Sequence, residues 1–186
     1  MSVAGLLLAA GAGTRMGGPK ALVEGADGVP WAVSSAQVLR DGGCDEVVVV
    51  VGAAAQRVRR VLHDEPVRTV FASSWAEGMG ASLRVGLSAL ATGSRADAVV
   101  VHLVDLPDVG ADVVGRLVRV AVHDGLARAA YDDGRPGHPV LIGRDHWHGA
   151  IAAAVGDRGA RDYLAGREVA AIDCSDLATG IDIDSR

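Results

Sequence analysis

Val3-Ala4-Gly5-Leu6-Leu7-Leu8-Ala9-Ala10-Gly11-Ala12-Gly13-Thr14-Arg15-Met16-Gly17-Gly18-Pro19-Lys20 is the stretch from which the fold is read. The apolar run Val3 to Leu8 passes directly into a loop of small residues. That loop carries one arginine and closes on Pro19-Lys20. This is a buried strand that delivers nearly bare backbone to an anion. Gly11, Gly13, Gly17 and Gly18 permit close approach and positive φ, while Arg15 and Lys20 supply charge.

Two other phosphate loops are excluded by spacing. A dinucleotide fingerprint needs G-x-G-x-x-G, a helix, and an acidic residue about 20 positions on. Here Gly11, Gly13 and Gly17 are spaced G-x-G-x-x-x-G, and Pro19 stands where that helix should run. A Walker loop needs Gly-Lys followed by Ser or Thr, whereas Lys20 lies between Pro19 and Ala21.

Further Val-rich runs, Glu46–Val51, Thr69–Ala72 and Ala98–Val104, alternate with helical patterns. That rhythm predicts an α/β domain with a mostly parallel, Rossmann-like sheet covered by helices on both faces. Pro30 opens one helix and Gly42-Gly43 closes it. Further helices are expected over Ala54–Leu62, Gly80–Leu90 and Gly110–Val122. Ala127–Tyr131 and His138–Ile142 flank the turn-rich segment Asp132 to Gly137, a hairpin signal. Short helices over Asp145–Val155 and Ala160–Leu164 precede strand-like Glu168–Ile172 and Gly180–Asp184. One domain spanning residues 1 to 186 is expected, with no linker or internal repeat.

Hydrophobic residues make up 49% of the 186 residues and charged residues 22%, a globular balance. A net charge of -5 argues against a general nucleic-acid or anionic-membrane binder. Cys44 and Cys174 form no metal-ligand spacing, and no signal peptide is visible, so the cytoplasm is expected. No apolar run is long enough to span a bilayer.

Leu8-Ala9-Ala10-Gly11-Ala12-Gly13-Thr14-Arg15-Met16-Gly17, completed by Lys20, resembles the nucleotidyltransferase signature L-A-A-G-x-G-x-R-M-G-x-x-K. The resemblance implies that this loop wraps a nucleoside triphosphate, with Arg15 and Lys20 on the phosphates. Ligands of open α/β sheets bind beyond the carboxyl ends of the strands. There Ala98–Val104 empties into Asp105, a hard oxygen donor suited to Mg²⁺ shared with phosphates. As a structural alternative, Asp105 caps the following helix.

Gly78-Met79-Gly80-Ala81-Ser82-Leu83 closely resembles the G-M-G-x-S-L segment of molybdenum cofactor cytidylyltransferases and their MobA-like relatives. It implies that Gly78, Met79, Gly80 and Ser82 meet the nucleotide base and ribose, whereas Trp75 is read as core packing. Gly134-Arg135-Pro136-Gly137-His138-Pro139-Val140 and Gly156-Asp157-Arg158-Gly159-Ala160-Arg161 resemble two more family segments, assigned to the pterin side. His138, Asp157 and Arg161 are therefore candidate substrate-binding residues. A loop histidine and a surface ion pair are the plainer readings. Asp182-Ile183-Asp184-Ser185 resembles D-I-D-T, with Ser for Thr. It implies that Asp182 reaches the metal from a final strand, whose alternation sets Asp184 on the same face.

His146 and His148 are two apart on a helix pattern and cannot share a face, so they are read as packing or surface residues. His102 is read as a buried, hydrogen-bonded strand residue. The implied reaction is attack by a molybdopterin or Mo-molybdopterin phosphate on the α-phosphorus of CTP, with Mg²⁺ as cofactor. GTP is the alternative nucleotide, and a molybdoenzyme client is a possible partner. Two rival classes are an oxidoreductase, for which no NAD(P)H or flavin fingerprint is visible, and a non-catalytic nucleotide-binding module.

Overall fold

Each continuous apolar run becomes a strand. In the computed structural model, which describes residues 1–132 and 134–184, β1 spans Val3–Ala9, β2 Glu46–Val51, β3 Arg68–Phe71 and β4 Ala98–Leu103. β5 (Leu126–Tyr131), β6 (Arg135–Gly143) and β7 (Ala170–Asp173) complete a seven-stranded sheet ordered β3-β2-β1-β4-β6-β5-β7. β1 is parallel to β2 and β4, and β3 to β2. β6 is antiparallel to β4 and β5, and β7 is parallel to β5. Among the described residues β6 alone runs against the rest. Asp133 of the hairpin turn and Ser185 lie outside the described residues.

Six α-helices cover the sheet among the described residues: α1 (Trp31–Asp41), α2 (Ala55–Val61), α3 (Met79–Gly93), α4 (Ala111–Arg119), α5 (Trp147–Ala153) and α6 (Arg161–Leu164). Alternation along the strands divides the core in two. Leu7, Val49 and Val100 pack with Leu39, Val113 and Leu117 of α1 and α4. Leu6, Val48 and Val101 pack with Leu83 and Leu87 of α3, and with Trp147 of α5. Both faces of the central strands are buried, which is why these strands read as unbroken apolar runs. Helix α4 stops at Arg119 rather than continuing to Val122. Its last turn tightens onto the Leu117 and Val118 carbonyls, and Val120 and Val122 are exposed.

The strand order positions the site. From β1 the chain crosses by α1 to β2 on one side; after β3 it returns by α3 to β4 on the other. The carboxyl ends of β1 and β4 therefore open onto one crevice, where the strand order reverses and ligands of such sheets bind.

Two expectations are corrected. Residues 180–184 form no strand: Gly180 has φ +61°, and the segment instead crosses the carboxyl edge of the sheet. Ile183 N–H donates to the Asp105 carbonyl at 3.0 Å, which pins the segment to the end of β4. His102 is buried as expected, but neither ring nitrogen has a hydrogen-bond partner among the described residues. Two positions beyond Val100, it shares that residue's strand face, where the neighbours are hydrocarbon.

Burial, with a smaller contribution from His138, pushes the His102 pKa down to about 3. Below pH 6.5 the unfolded chain takes up a proton that the folded chain refuses, so stability falls as the pH drops from 6.5 towards 3. His138, lowered to about 4, acts in the same direction. His102→Leu is expected to raise stability by about 1–3 kcal/mol, because it removes unpartnered buried polar groups. It should also flatten the loss between pH 7 and 5. Urea denaturation of both proteins at the two pH values checks this; an equal acid loss in the variant would refute it.

Candidate functional site

The loop after β1 is shaped by one glycine. Gly13 has φ +59°, and a Cβ there would lie 2.0 Å from the Gly18 carbonyl oxygen. With no side chain in the way, the Gly13 carbonyl accepts N–H bonds from Met16 at 2.9 Å and Gly18 at 3.1 Å, closing the loop on itself. The closure leaves donors open. Among the described residues, the N–H groups of Gly11, Ala12, Gly13, Thr14 and Arg15 meet no acceptor. Unpaired backbone donors facing a cleft form a binding concavity for an anion.

Beside this array is an ionic knot. Lys20 Nζ donates to Asp105 Oδ2 and Asp184 Oδ1, both at 2.8 Å. Arg15 Nη1 reaches Asp184 Oδ2 at 3.4 Å, an exposed contact of little energetic weight. Burial pulls the Lys20 pKa down, but the bonds and charges of Asp105 and Asp184 outweigh it, so the ammonium is held above its usual value. The Lys20 hydrogen bond and charge hold the Asp184 carboxyl below its usual value. One carboxylate oxygen from each of Asp105, Asp182 and Asp184 lies within 4.8 Å of the others. Three such hard donors with solvent access suit Mg²⁺. The final strand was expected to bring the two late aspartates together; a crossing segment does so instead.

A cleft of about 450 Å³ separates the amide array from α3. It is lined by Leu8 to Arg15, Lys20, Gly78, Met79, Ser82, Asp105, Asp157 and Asp184. Met79 and Ser82 lie three apart on the first turn of α3 and so share one face, whereas Gly80 between them packs against the Ala154–Val155 backbone, outside the lining. Ser82 is buried, and it lines the cleft. Gly78 meets Asp157 so closely that a Cβ would lie 2.4 Å from its Oδ1. Arg84 fastens these segments by donating to the Ala154 carbonyl at 2.6 Å and Glu77 Oε2 at 3.1 Å. Trp75, read as core, both packs against the α3 side and lines the cleft.

His138 lines a smaller pocket with Val101, Val140, Gly159 and Ala160. Leu8 and Met79 line both spaces, so the pocket adjoins the cleft. Burial drives the His138 pKa down to about 4 despite the nearby Asp105 charge, so the imidazole is neutral. Arg161, which adds to that lowering, lines neither space, and Asp182 is exposed outside the cleft lining. His146 packs as expected: its ring nitrogens meet the Tyr163 hydroxyl at 2.9 Å and the Asp124 carbonyl at 2.8 Å. His148 is exposed. The sequence reading missed Arg135. Its guanidinium is spent on the Thr179 carbonyl and Asp132, within this structure.

The sequence model of the MobA-like NTP transferase domain matches residues 5–172, which takes in the amide array, Lys20, Asp105 and the α3 loop. The chain belongs to that family. As a member of the MobA-like family it is a nucleotidyltransferase. It is 39% identical to the nicotine blue oxidoreductase of Paenarthrobacter nicotinovorans over 98% of this chain and 92% of that protein. Among solved structures it resembles Rv0371c of Mycobacterium tuberculosis H37Rv, with 28% identity, a TM-score of 0.84, and coverage of 100% of this chain and 94% of that one. A complex of Rv0371c with manganese matches with 27% identity and a TM-score of 0.77, over 98% of this chain and 94% of that one. Among the described residues of this MobA-like chain, no helix is long and apolar enough to cross a membrane.

Proposed function

We propose that this protein transfers CMP from CTP to a phosphorylated acceptor, molybdopterin or Mo-molybdopterin, and releases pyrophosphate. The observation that carries the reading is the row of open N–H groups from Gly11 to Arg15, which together with Lys20 lines a cleft of about 450 Å³. An oxygen of the acceptor phosphate attacks the α-phosphorus in line. The new P–O bond forms as the bond to the β-phosphate oxygen breaks, and pyrophosphate leaves with the electron pair. Such transfer depends on positioning and charge neutralisation more than on covalent participation by the protein. No general base is needed, because the attacking phosphate is already an anion.

The amide array and Arg15 grip the triphosphate, and Lys20 turns from its carboxylates to the β- and γ-phosphates. Asp105, Asp182 and Asp184 hold Mg²⁺, which neutralises phosphate charge when bound. The manganese complex of Rv0371c supports a divalent ion on this fold. Gly78, Met79 and Ser82 face the base and ribose. Asp157, with His138 in the adjoining pocket and Arg161 beyond it, forms the acceptor side. The buried free thiols of Cys44 and Cys174 suit a reducing cytoplasm, and a molybdoenzyme is the fitting client.

GTP is the alternative nucleotide. An oxidoreductase acting on a small heterocycle is the second reading, favoured by the relative at 39% identity. Thermal shifts with Mg²⁺ and CTP or GTP decide the nucleotide: the cognate one, at about 100 times its Kd, stabilises the fold by about 2.7 kcal/mol. Pyrophosphate release with and without Mo-molybdopterin tests the transfer, with NADH oxidation followed in parallel. NADH oxidation without pyrophosphate release would replace the first reading by the second.

A further inference from the structure

Between Cys174 and Asp184 the chain passes from the end of β7, by the ends of β5 and β4, to the cleft. It carries two of the three clustered carboxylates there. Nothing about an extended surface segment fixes its path, so the contacts that hold it decide where Asp182 and Asp184 arrive. Near its far end the segment is held by Ile183 N–H on the Asp105 carbonyl and by Lys20 on Asp184; the contacts that hold its approach converge on Thr179. Asp108 Oδ2 accepts both the Thr179 N–H at 2.7 Å and its hydroxyl at 2.5 Å. From the other side, Arg135 Nη2 donates to the Thr179 carbonyl at 2.5 Å. All three polar groups of Thr179 are thus engaged.

The next residue lies flat against an aromatic ring: a Cβ on Gly180 would fall 2.1 Å from Tyr131 Cε2, and the φ of +61° at that position turns the chain towards Asp105. Tyr131 is itself fixed, fully buried, with its hydroxyl donating to the His138 carbonyl at 2.7 Å. Upstream, Arg116 grips both Asp176 carboxylate oxygens at 2.6 Å.

We infer that Asp108 and Arg135 are positioning residues for the divalent-metal site: by clamping Thr179 they present Asp182 and Asp184 to Asp105. Neither residue lines the cleft or belongs to the carboxylate cluster. The inference rests on the metal site proposed above. Its physical basis is that a loose segment must be ordered when the ion binds, whereas a clamped one is already in place.

The test is Mn²⁺ binding to the full chain, followed by electron paramagnetic resonance without nucleotide, together with thermal unfolding. Asp108→Ala is expected to weaken Mn²⁺ binding about tenfold, as loss of a group that orients ligands does. Asp108→Asn should bind nearly as the parent does. One carboxylate oxygen accepts both Thr179 bonds, and a single amide oxygen can replace it. Arg135→Gln, which loosens the clamp from the other side, should weaken Mn²⁺ in the same direction. Parent-like affinity in Asp108→Ala overturns the inference. An equal loss in Asp108→Asn also overturns it, because the effect is then charge rather than clamping. Asp105→Asn serves as the control. If it too leaves Mn²⁺ binding intact, the metal reading itself has failed, and the clamp with it.

Discussion

Lys20→Ala is expected to reduce nucleotidyl transfer by at least about a hundredfold, with Mn²⁺ binding retained or tightened. Removing one preorganised group that stabilises developing charge costs a factor of this size. Lys20 is a minor steric element but sits between two functions. Its ammonium bonds Asp105 and Asp184 when no phosphate is present, and in the proposed reaction it meets the departing pyrophosphate. Without it the phosphates lose a cation while the carboxylates lose a competitor. Pyrophosphate release and Mn²⁺ titration should therefore move in opposite directions. Turnover like the parent's would remove Lys20 from the chemistry.

Asp105→Ala should also lower turnover by at least about a hundredfold, but with Mn²⁺ binding lost in parallel. Asp105 is the best anchored of the three carboxylates. It stands at the tip of β4 beside Leu103 and Val104 of the cleft, and its own carbonyl receives the Ile183 N–H. Asp184 lies on the crossing segment and is more exposed. The paired measurements separate the two residues: loss of transfer with metal binding kept marks a phosphate-binding group, and loss of both marks a metal ligand. Parent-like Mn²⁺ binding in Asp105→Ala would place the ion elsewhere.

Much of this was legible in the residues. The runs Val3–Leu8, Glu46–Val51 and Ala98–Val104 announced central parallel strands because both their faces are covered, so no polar alternation interrupts them. The loop after β1 was legible because it needs glycine at Gly13, where the Gly18 backbone approaches and φ is positive, and at Gly17, where φ is positive too. What could not be read depends on distant partners. The segment 180–184 alternates like a strand, yet it and the residue before it are held by Asp105, Asp108, Arg135 and Tyr131, many residues away in sequence. His102 looks hydrogen-bonded in any strand pattern; whether a partner exists depends on what the facing helices offer, and they offer hydrocarbon. Gly80 sits inside a motif whose neighbours line the cleft. One residue of helical rotation turns it towards the Ala154–Val155 backbone instead.

The five open amides from Gly11 to Arg15 have a consequence for divergence. Main-chain N–H groups are supplied by every residue but proline, so the identity of Ala12 or Thr14 contributes little to a grip made of backbone. Only the glycine that closes the loop is held fixed by geometry. Phosphate recognition of this kind tolerates drift in its own side chains and leaves the opposite wall of the cleft free to change. A scaffold so built can exchange acceptors, and even chemistries, over evolutionary time while its hold on phosphate persists. Relatives with unlike names on one fold are what such an arrangement permits.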